Sequence, residues 1–467
     1  MTTALITAPP SRDQRRARGK EARRDVPLAS HCVARPDGPR DPVGLVLEQA
    51  QSRVPELVPI RHGRMLVSPF TYFRGAALPM AADLAGLPTS GLRVQLCGDA
   101  HLANFGAFAS PERRLVFDLN DFDETLPGPF EWDVKRLAAS LVVAARDNEY
   151  DAADRRRIVL EAVRSYREAM RRFAGMPMLD VWYTHLDIEA AVHEVGSQLE
   201  KARRKKTEKA LAKARTRTSM QALGKLTELV DGRRRIVSDP PLIVPIEQLV
   251  DQVESEELYA QLRELLGSYR STLQSDRRHL VEQFTLVQMA RKVVGVGSVG
   301  TRAWILLLES TDGEPLFLQA KEAQASVLAP YAGRSRYDNQ GERVVAGQRL
   351  MQAASDIFLG WQRVSGIDDR ERDFYVRQLR DWKLSVPIEE VVPSGMLVYA
   401  QLCGWTLARA HARSGDRIAI AAYLGRSDAF DLALAEFAEG YADLNELDHA
   451  ALAAAVADGR ASAETGL

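Results

Sequence analysis

Cysteine is scarce in this chain: three residues in 467, Cys32, Cys97 and Cys403, lie far apart. They are too few and too scattered for a disulfide framework or a thiolate metal site, so a reducing, cytoplasmic setting is expected. Net charge is equally scarce, −1 from 62 basic and 63 acidic residues. No global attraction to polyanions follows, and any basic function must be local. No run of about 18 apolar residues occurs, so no membrane contact is expected. The chain opens "MTTALITAPP" and continues "SRDQRRARGKEARRDVP". A secretory signal would carry its charge first. Residues 1–40 read instead as a disordered basic tail. No internal repeat is present, and the only lysine before residue 97 is Lys20.

What is there suffices for a large core divided over more than one lobe. "SPFTYFRGAALPMAADLAGLPTSG" reads as a turn, a helix and a glycine stop. "LRVQLCGD" is a strand entering a loop, and "RRLVFDLNDFDE" a second strand that ends in acids. "EWDVKRLAASLVVAARD", residues 131–147, has helical spacing, and helical texture continues from about 151 to 228. Within it "KARRKKTEKALAKARTR", residues 201–217, holds nine basic residues and one acid. This reads first as a solvated helix surface. It is also the one place where nucleic acid or an acidic partner could dock, although no aromatics interleave with the lysines. After a linker, "SDPPLIVPI", a helical stretch is expected to about residue 292. Residues 293–323 turn to β-formers and glycine, with "TDGEP" as a hairpin signal. Helix is expected again through "RVVAGQRLMQAASDIFLGW", then a short strand, "DFYVRQL", then alanine-rich helices. The expected division is a tail at 1–40 and a loop-bearing helical lobe at 41–237, with a basic insertion near 190–222. A β-rich lobe follows at 238–400, and C-terminal helices at 401–467 pack back on the first lobe.

Two segments carry chemistry. "GVGSVG", Gly295 to Gly300, matches a glycine pattern shared by two folds. A dinucleotide fold needs a helix to open at the last glycine. Here "TRAWILLLES" follows, a strand. That fits a glycine-rich hairpin over nucleotide phosphates, where side chains would keep backbone amides from the phosphate oxygens. Gly295, Gly297, Ser298 and Gly300 are the candidate phosphate binders. Lys321, in "LFLQAKEA", is the candidate partner of the α- and β-phosphates. Glu342, with Glu322 as alternative, is the acid expected to pair with that lysine. "CGDAHLANFG", residues 97–106, is the second segment. Phosphoryl transfer needs an acid near the nucleophile and oxygen ligands for Mg²⁺. Asp99 suits the first role, with His101 beside it, and Asn104 offers an amide oxygen to the metal. Asp121 or Asp118 would complete the metal site, with Asp123 a rival. Arg74 could neutralise a transferring phosphate or hold a carboxylate.

"CGDAHLAN" resembles the catalytic loop of the aminoglycoside phosphotransferase and choline kinase group, H-G-D-x-H-x-x-N. The matches are Asp99, His101 and Asn104, and Cys97 stands where that group has a histidine that organises the loop. Asp121, then Phe122, with Asp133 twelve residues further on, looks like the group's metal-binding aspartate and following helix. Asp133 is expected to brace the loop. "GWTLARAHARSGD", residues 404–416, resembles the helix that leads into this loop, yet it comes far later in sequence. "RQLRD", residues 377–381, stands where a kinase-like fold has its hinge to adenine. The resemblance therefore implies an α+β, mostly helical, protein-kinase-like two-lobed fold in circularly permuted order. Helical elements come first and the glycine-loop lobe later. Across residues 61–445 the chain also resembles a bacterial family known as domain of unknown function 2252. The shared stretches include "RMLVSPFTYFRGAA", "VFDLNDFDET" and "AGQRLMQAASDIFLGW".

The expected function is an ATP- and Mg²⁺-dependent phosphotransferase acting on a small molecule, with adenylyl transfer also open. The alternatives are a non-catalytic nucleotide-binding or interaction module and a metal-dependent phosphoesterase. The last would need more histidine and acid ligands than the sequence groups together.

Overall fold

The structure, a computed structural model, describes residues 9–188, 219–249, 255–293, 295–365, 370–379 and 382–466. The basic stretch 201–217, and Arg380 and Asp381 of the expected hinge, lie outside the described residues. The helical body begins with α1 (Arg12–Asp25), α2 (Pro42–Ala50), α3 (Val58–Met65), α4 (Pro69–Gly75) and α5 (Ala77–Ala85). Two small antiparallel pairs follow. One joins β1 (Arg93–Leu96) to β4 (Leu126–Pro129). The other joins β2 (Phe105–Ala109) to β3 (Leu115–Leu119), with a short β5 (Leu186–Asp187) on its far side. Helices α6 (Phe130–Asp147), α7 (Ala152–Gly175) and α8 (Met178–Tyr183) complete this half.

The second half opens with α9 (Ser219–Leu226) and a hairpin of β6 (Thr227–Val230) and β7 (Arg233–Ile236), then β8 (Ile243–Pro245). After α10 (Ser255–Ser271) and α11 (Ser275–Val281) come β9 (Phe284–Lys292), β10 (Ala303–Ser310) and β11 (Pro315–Ala323). A single turn, α12 (Ala329–Ala332), and α13 (Gln340–Met351) precede β12 (Gly360–Ser365) and β13 (Glu371–Gln378). The chain ends in α14 (Pro393–Ser414), α15 (Arg417–Leu424) and α16 (Ala429–Ala457). The class is α+β: helices and antiparallel strands occupy separate regions. Among the described residues, no helix is long and apolar enough to cross a membrane.

Helix α6 is the centre of the body. Every residue from Phe130 to Ala145 is buried, as expected of a helix wrapped by neighbours on all faces. Around it pack α7, α14 and α16, so the C-terminal helices share one core with the first half of the chain. Helices α7 and α14 approach closely because Gly404 has no side chain; a methyl group there would overlap the Ala162 carbonyl oxygen.

The six-stranded sheet runs β12-β13-β11-β10-β9-β8, all antiparallel. One face, including Leu306, Leu318 and Phe374, packs on Leu262, Leu266 and Tyr269 of α10. The register places Ile305, Leu307, Phe317 and Lys321 on the other face. Its apolar end is covered by Ala222, Leu223 and Leu226 of α9, and its Lys321 end meets the helical body.

Several expectations are corrected. The arginine-rich N-terminal stretch forms α1, with a capping box between Ser11 and Gln14. Arg15 pairs with Asp416 at 2.8 Å, and the buried Gly19 lies against the Ala419 backbone of α15. Residues 284–292, expected as helix, form β9. Burial on both faces removes the period-2 alternation that marks a strand. Residues 227–236, just where helix was expected to end, form a hairpin. Its Asp231-Gly232 turn has φ of 50° and 73°, the left-handed turn that this dipeptide favours. The helix expected through Trp361 ends at Met351.

The close α7–α14 contact predicts that Gly404→Ala destabilises the protein by about 1–3 kcal/mol through overpacking. The midpoint of urea unfolding should fall accordingly, with no change in slope.

Candidate functional site

The acidic loop leaves β1 at Cys97 and is held by its backbone. The Cys97 N–H donates to Asp133 Oδ2 at 2.8 Å and the Gly98 N–H to Asp133 Oδ1 at 3.1 Å. Asp133, on the first turn of α6, thus braces the loop as expected. His411 of α14 bonds the same carboxylate, Nε2 to Oδ2, at 3.2 Å. Gly98 is needed twice over. Its φ is 87°, and a side chain would overlap the Glu124 carbonyl. Cys97 is fully buried, and burial, then the charges of Asp133 and Asp99, pushes its thiol far up. A thiol so placed is no nucleophile.

Asp99 accepts from Arg136 Nε at 2.8 Å. Burial raises its pKa against the pull of that guanidinium. His101 Nε2 lies 3.7 Å from Asp99 Oδ2. Burial, with Arg74 and Arg136 nearby, holds the imidazole well below its usual pKa, so it is neutral.

Asn104 Nδ2 donates to the Asp99 carbonyl at 2.9 Å, which leaves its amide oxygen as the acceptor. The three aspartates after β3 have separate fates. Asp118 points into the body and pairs with the buried Arg409 of α14 at 2.5 Å; it is committed to the core, away from the cleft. Asp123 pairs with Lys321 Nζ at 2.6 Å and accepts from the Tyr375 hydroxyl at 2.5 Å. Burial pushes Asp123 up, but the ammonium and these bonds outweigh it and hold it low. Asp121 lines the cleft without an ion pair among the described residues, and burial, then the Asp123 charge, raises its pKa. A Mg²⁺ ion prefers a few oxygen ligands and keeps others for phosphate and water. The Asn104 oxygen and Asp121 fit that preference. Among the described residues, no group of three or more His, Cys, Asp or Glu has metal-holding geometry.

The glycine segment is the turn of the antiparallel β9–β10 hairpin, with positive φ at Gly295 (68°) and Gly300 (86°). It is fastened from outside. Arg64 Nη1 donates to the Gly295 carbonyl at 2.7 Å, and the Val54 N–H to the Gly300 carbonyl at 2.8 Å. Val299 packs on Val54, Leu57 and Ile60. Lys321 on β11 is buried and finds Asp123, so the acid expected on the following helix is corrected. Glu342 sits in the first turn of α13, where Asn339 caps its N–H at 3.0 Å, and it does not line the cleft. Its neighbour Arg343 reaches the loop instead, donating to the carbonyls of Thr125 at 2.7 Å and Asp123 at 2.9 Å. Glu322 pairs with Arg302 at 3.2 Å.

These segments meet in one cleft of about 750 Å³. Its lining brings together Asp99, His101, Asn104 and Asp121 from the acidic loop, Gly295, Gly297 and Ser298 from the glycine turn, and Arg74. Gly300 and Lys321 stand just behind it. Sequence reasoning missed Arg136, Arg343, Tyr375 and Glu124. Ordinary loop and helix positions announce none of them; the acid-rich "NDFDET" was the one signal pointing near Glu124.

Fold and site together define an α+β protein with a cleft of about 750 Å³ shared by a helical body and an antiparallel sheet. The chain belongs to the family described as uncharacterized protein conserved in bacteria (DUF2252), whose model matches residues 53–455. No curated protein and no solved structure matches it.

Glu124 gives a pH test. Burial raises its pKa from 4.5 to about 7, against the bond from the Val327 N–H. The folded protein keeps that proton to about pH 7, while the unfolded chain releases it near 4.5. Its contribution to stability therefore falls as pH rises through that window. Glu124→Gln should remove the fall: urea midpoints of variant and wild type, compared from pH 4.5 to 8, should diverge progressively and level off above 7.

Proposed function

We propose that the protein is a Mg²⁺- and ATP-dependent phosphotransferase of kinase-like fold, in permuted order, with a small-molecule acceptor. One observation carries this reading: Lys321, on the strand that follows the glycine hairpin, bonds at 2.6 Å to Asp123, the third residue of "DFDE". A glycine turn between the first two strands, a lysine on the third and a helix after it are the parts of a phosphate-holding lobe. An Asp and an Asn five residues apart, and a later Asp, are the parts of a catalytic and metal-binding loop. Their common cleft supports joining the two. His411 on Asp133 supports the permuted order, because it sets the late helix α14 beside the early loop.

In this reading Asp99, oriented by Arg136, accepts or directs the proton of the acceptor hydroxyl. His101, being neutral, orients without adding charge. Asn104 and Asp121 hold the metal, which when bound offsets charge on the phosphate oxygens. Lys321 is the cation for the α- and β-phosphates, and Gly295, Gly297 and Ser298 offer close backbone approach.

A second reading, a non-catalytic module of the same fold, draws on one observation. Leu223 and Leu226 of α9 cover the apolar strand face beside the hinge residue Leu379, where a nucleotide base would stack. The two readings part on turnover. In the catalytic case Asp99→Asn loses about 10²–10⁴-fold in ATP turnover while ATP affinity by calorimetric titration stays within a few-fold. Lys321→Met loses affinity itself. Absence of Mg²⁺-dependent ATP binding to the wild-type protein would sink the catalytic reading and leave only a module that does not bind nucleotide.

A further inference from the structure

The cleft is lined by a buried cation that has so far been given no role. Arg53 follows α2, lines the cleft and is only 6% exposed. One nitrogen, Nη1, donates to the Val299 carbonyl of the glycine turn. Its Nε is buried without a hydrogen-bond partner, and it makes no ion pair among the described residues.

The neighbouring acids do not answer it, because each is engaged elsewhere. Glu322 is paired with Arg302 at 3.2 Å, Asp123 with Lys321 at 2.6 Å, and Glu124 accepts from the Val327 N–H at 2.7 Å. Burial pushes the Arg53 pKa down to about 10 despite these acids, which leaves it charged but poorly compensated. A buried charge is normally paired, and one left open on a cavity awaits an anion.

The setting defines which anion. The glycine turn lies against the Arg53 side chain on one side and the Arg74 backbone on another. A Cβ at Gly300 would lie 3.0 Å from the Arg53 side chain, and one at Gly297 would lie 3.0 Å from the Arg74 carbonyl oxygen. Arg74 lines the same cleft and also lacks an ion pair among the described residues. A guanidinium fork beside glycine amides matches a phosphate.

We propose that Arg53 is a phosphate-binding residue of the cleft, supplied by the segment before the acidic loop and aimed at a phosphate group lying between the glycine turn and Asp121. The proposal rests on the nucleotide reading for the identity of the ligand and deepens it by naming a phosphate contact outside the two expected segments.

The test titrates the full-length protein, with Mg²⁺, with inorganic tripolyphosphate and separately with ATP. Arg53→Gln keeps an N–H for Val299 and removes the charge. It is expected to weaken both ligands by at least about tenfold and, without ligand, to leave the thermal midpoint unchanged or raised. A purely structural role would lower the midpoint and leave affinity alone. Wild-type affinity for tripolyphosphate in Arg53→Gln overturns the proposal and leaves the nucleotide reading standing. Arg53-dependent binding of tripolyphosphate without binding of ATP supports the phosphate site and removes the nucleotide reading. A wild-type protein that binds neither overturns both. Should Arg53→Gln not fold, Arg53→Lys serves: it keeps the charge but loses the fork, a several-fold loss is expected, and unchanged tripolyphosphate affinity overturns the proposal.

Discussion

A lysine ammonium with 3% of its side chain exposed must have a counter-charge already in place, and Lys321 finds it 198 residues away in sequence, on Asp123. The joint is more than one bond. Tyr375 from β13 holds the other oxygen of the same carboxylate, Arg377 reaches the Asn120 carbonyl at 3.2 Å, and Arg343 from α13 reaches two carbonyls of the loop. The sheet is thereby fastened to the acidic loop from two of its strands, and the helix α13 adds a third tie. The cleft exists because this fastening closes one side while the glycine turn, tied to Val54 and Arg64, closes another. Breaking a buried pair costs far more than its net worth, since it strands the remaining charge. The joint therefore fixes the distance between the two halves.

That one pairing also sorts the acids. Arg409 takes Asp118 into the core, and Lys321 takes Asp123. Asp121 is left on the cleft, next to a charged neighbour that raises its pKa after burial has done so. A cation entering the cleft would relieve that repulsion and the desolvation together. Sequence alone left three candidates because Asp118, Asp121 and Asp123 lie within six consecutive positions; only the arginine and lysine facing them in space tell them apart.

What was legible in the sequence is what local chemistry dictates. A strand after Gly300 distinguished the glycine hairpin from a dinucleotide turn, and an acid twelve residues past Asp121 foretold the brace on Cys97 and Gly98. What escaped depended on distant partners. The arginine-rich N-terminus reads as unstructured until Asp416 and Ala419 are seen beneath it. Glu342 has the right distance from Lys321 along the chain but the wrong place on its helix, in a capped first turn, whereas Arg343 one position on faces the loop. Arg53 in "QSRVPELV" carries no pattern at all. Its interest lies in being buried on the cleft without an ion pair among the described residues, which no one-dimensional reading can register.

The brace on the acidic loop bears on the order of the chain. Asp133 carries only acceptors when ionised, so His411 Nε2 holds the proton in their 3.2 Å bond and Nδ1 is left to accept from the Tyr166 hydroxyl at 2.9 Å. One tautomer is thus fixed by a carboxylate on α6 and a phenol on α7. Position 97, where the expected catalytic loop would carry a histidine, holds a buried thiol; the imidazole that touches the brace comes from α14, more than 300 residues later. A loop organised in this way does not need its histidine next to it in sequence, only a helix packed in the right place. The cost is dependence. The loop's amides are oriented by a carboxylate whose own partner arrives only when α14 has docked along α7, so the early half of the site is completed by the late half of the chain. That is the condition under which a rearranged order of segments can leave a site intact, since the bonds that define it run between elements and not along the backbone.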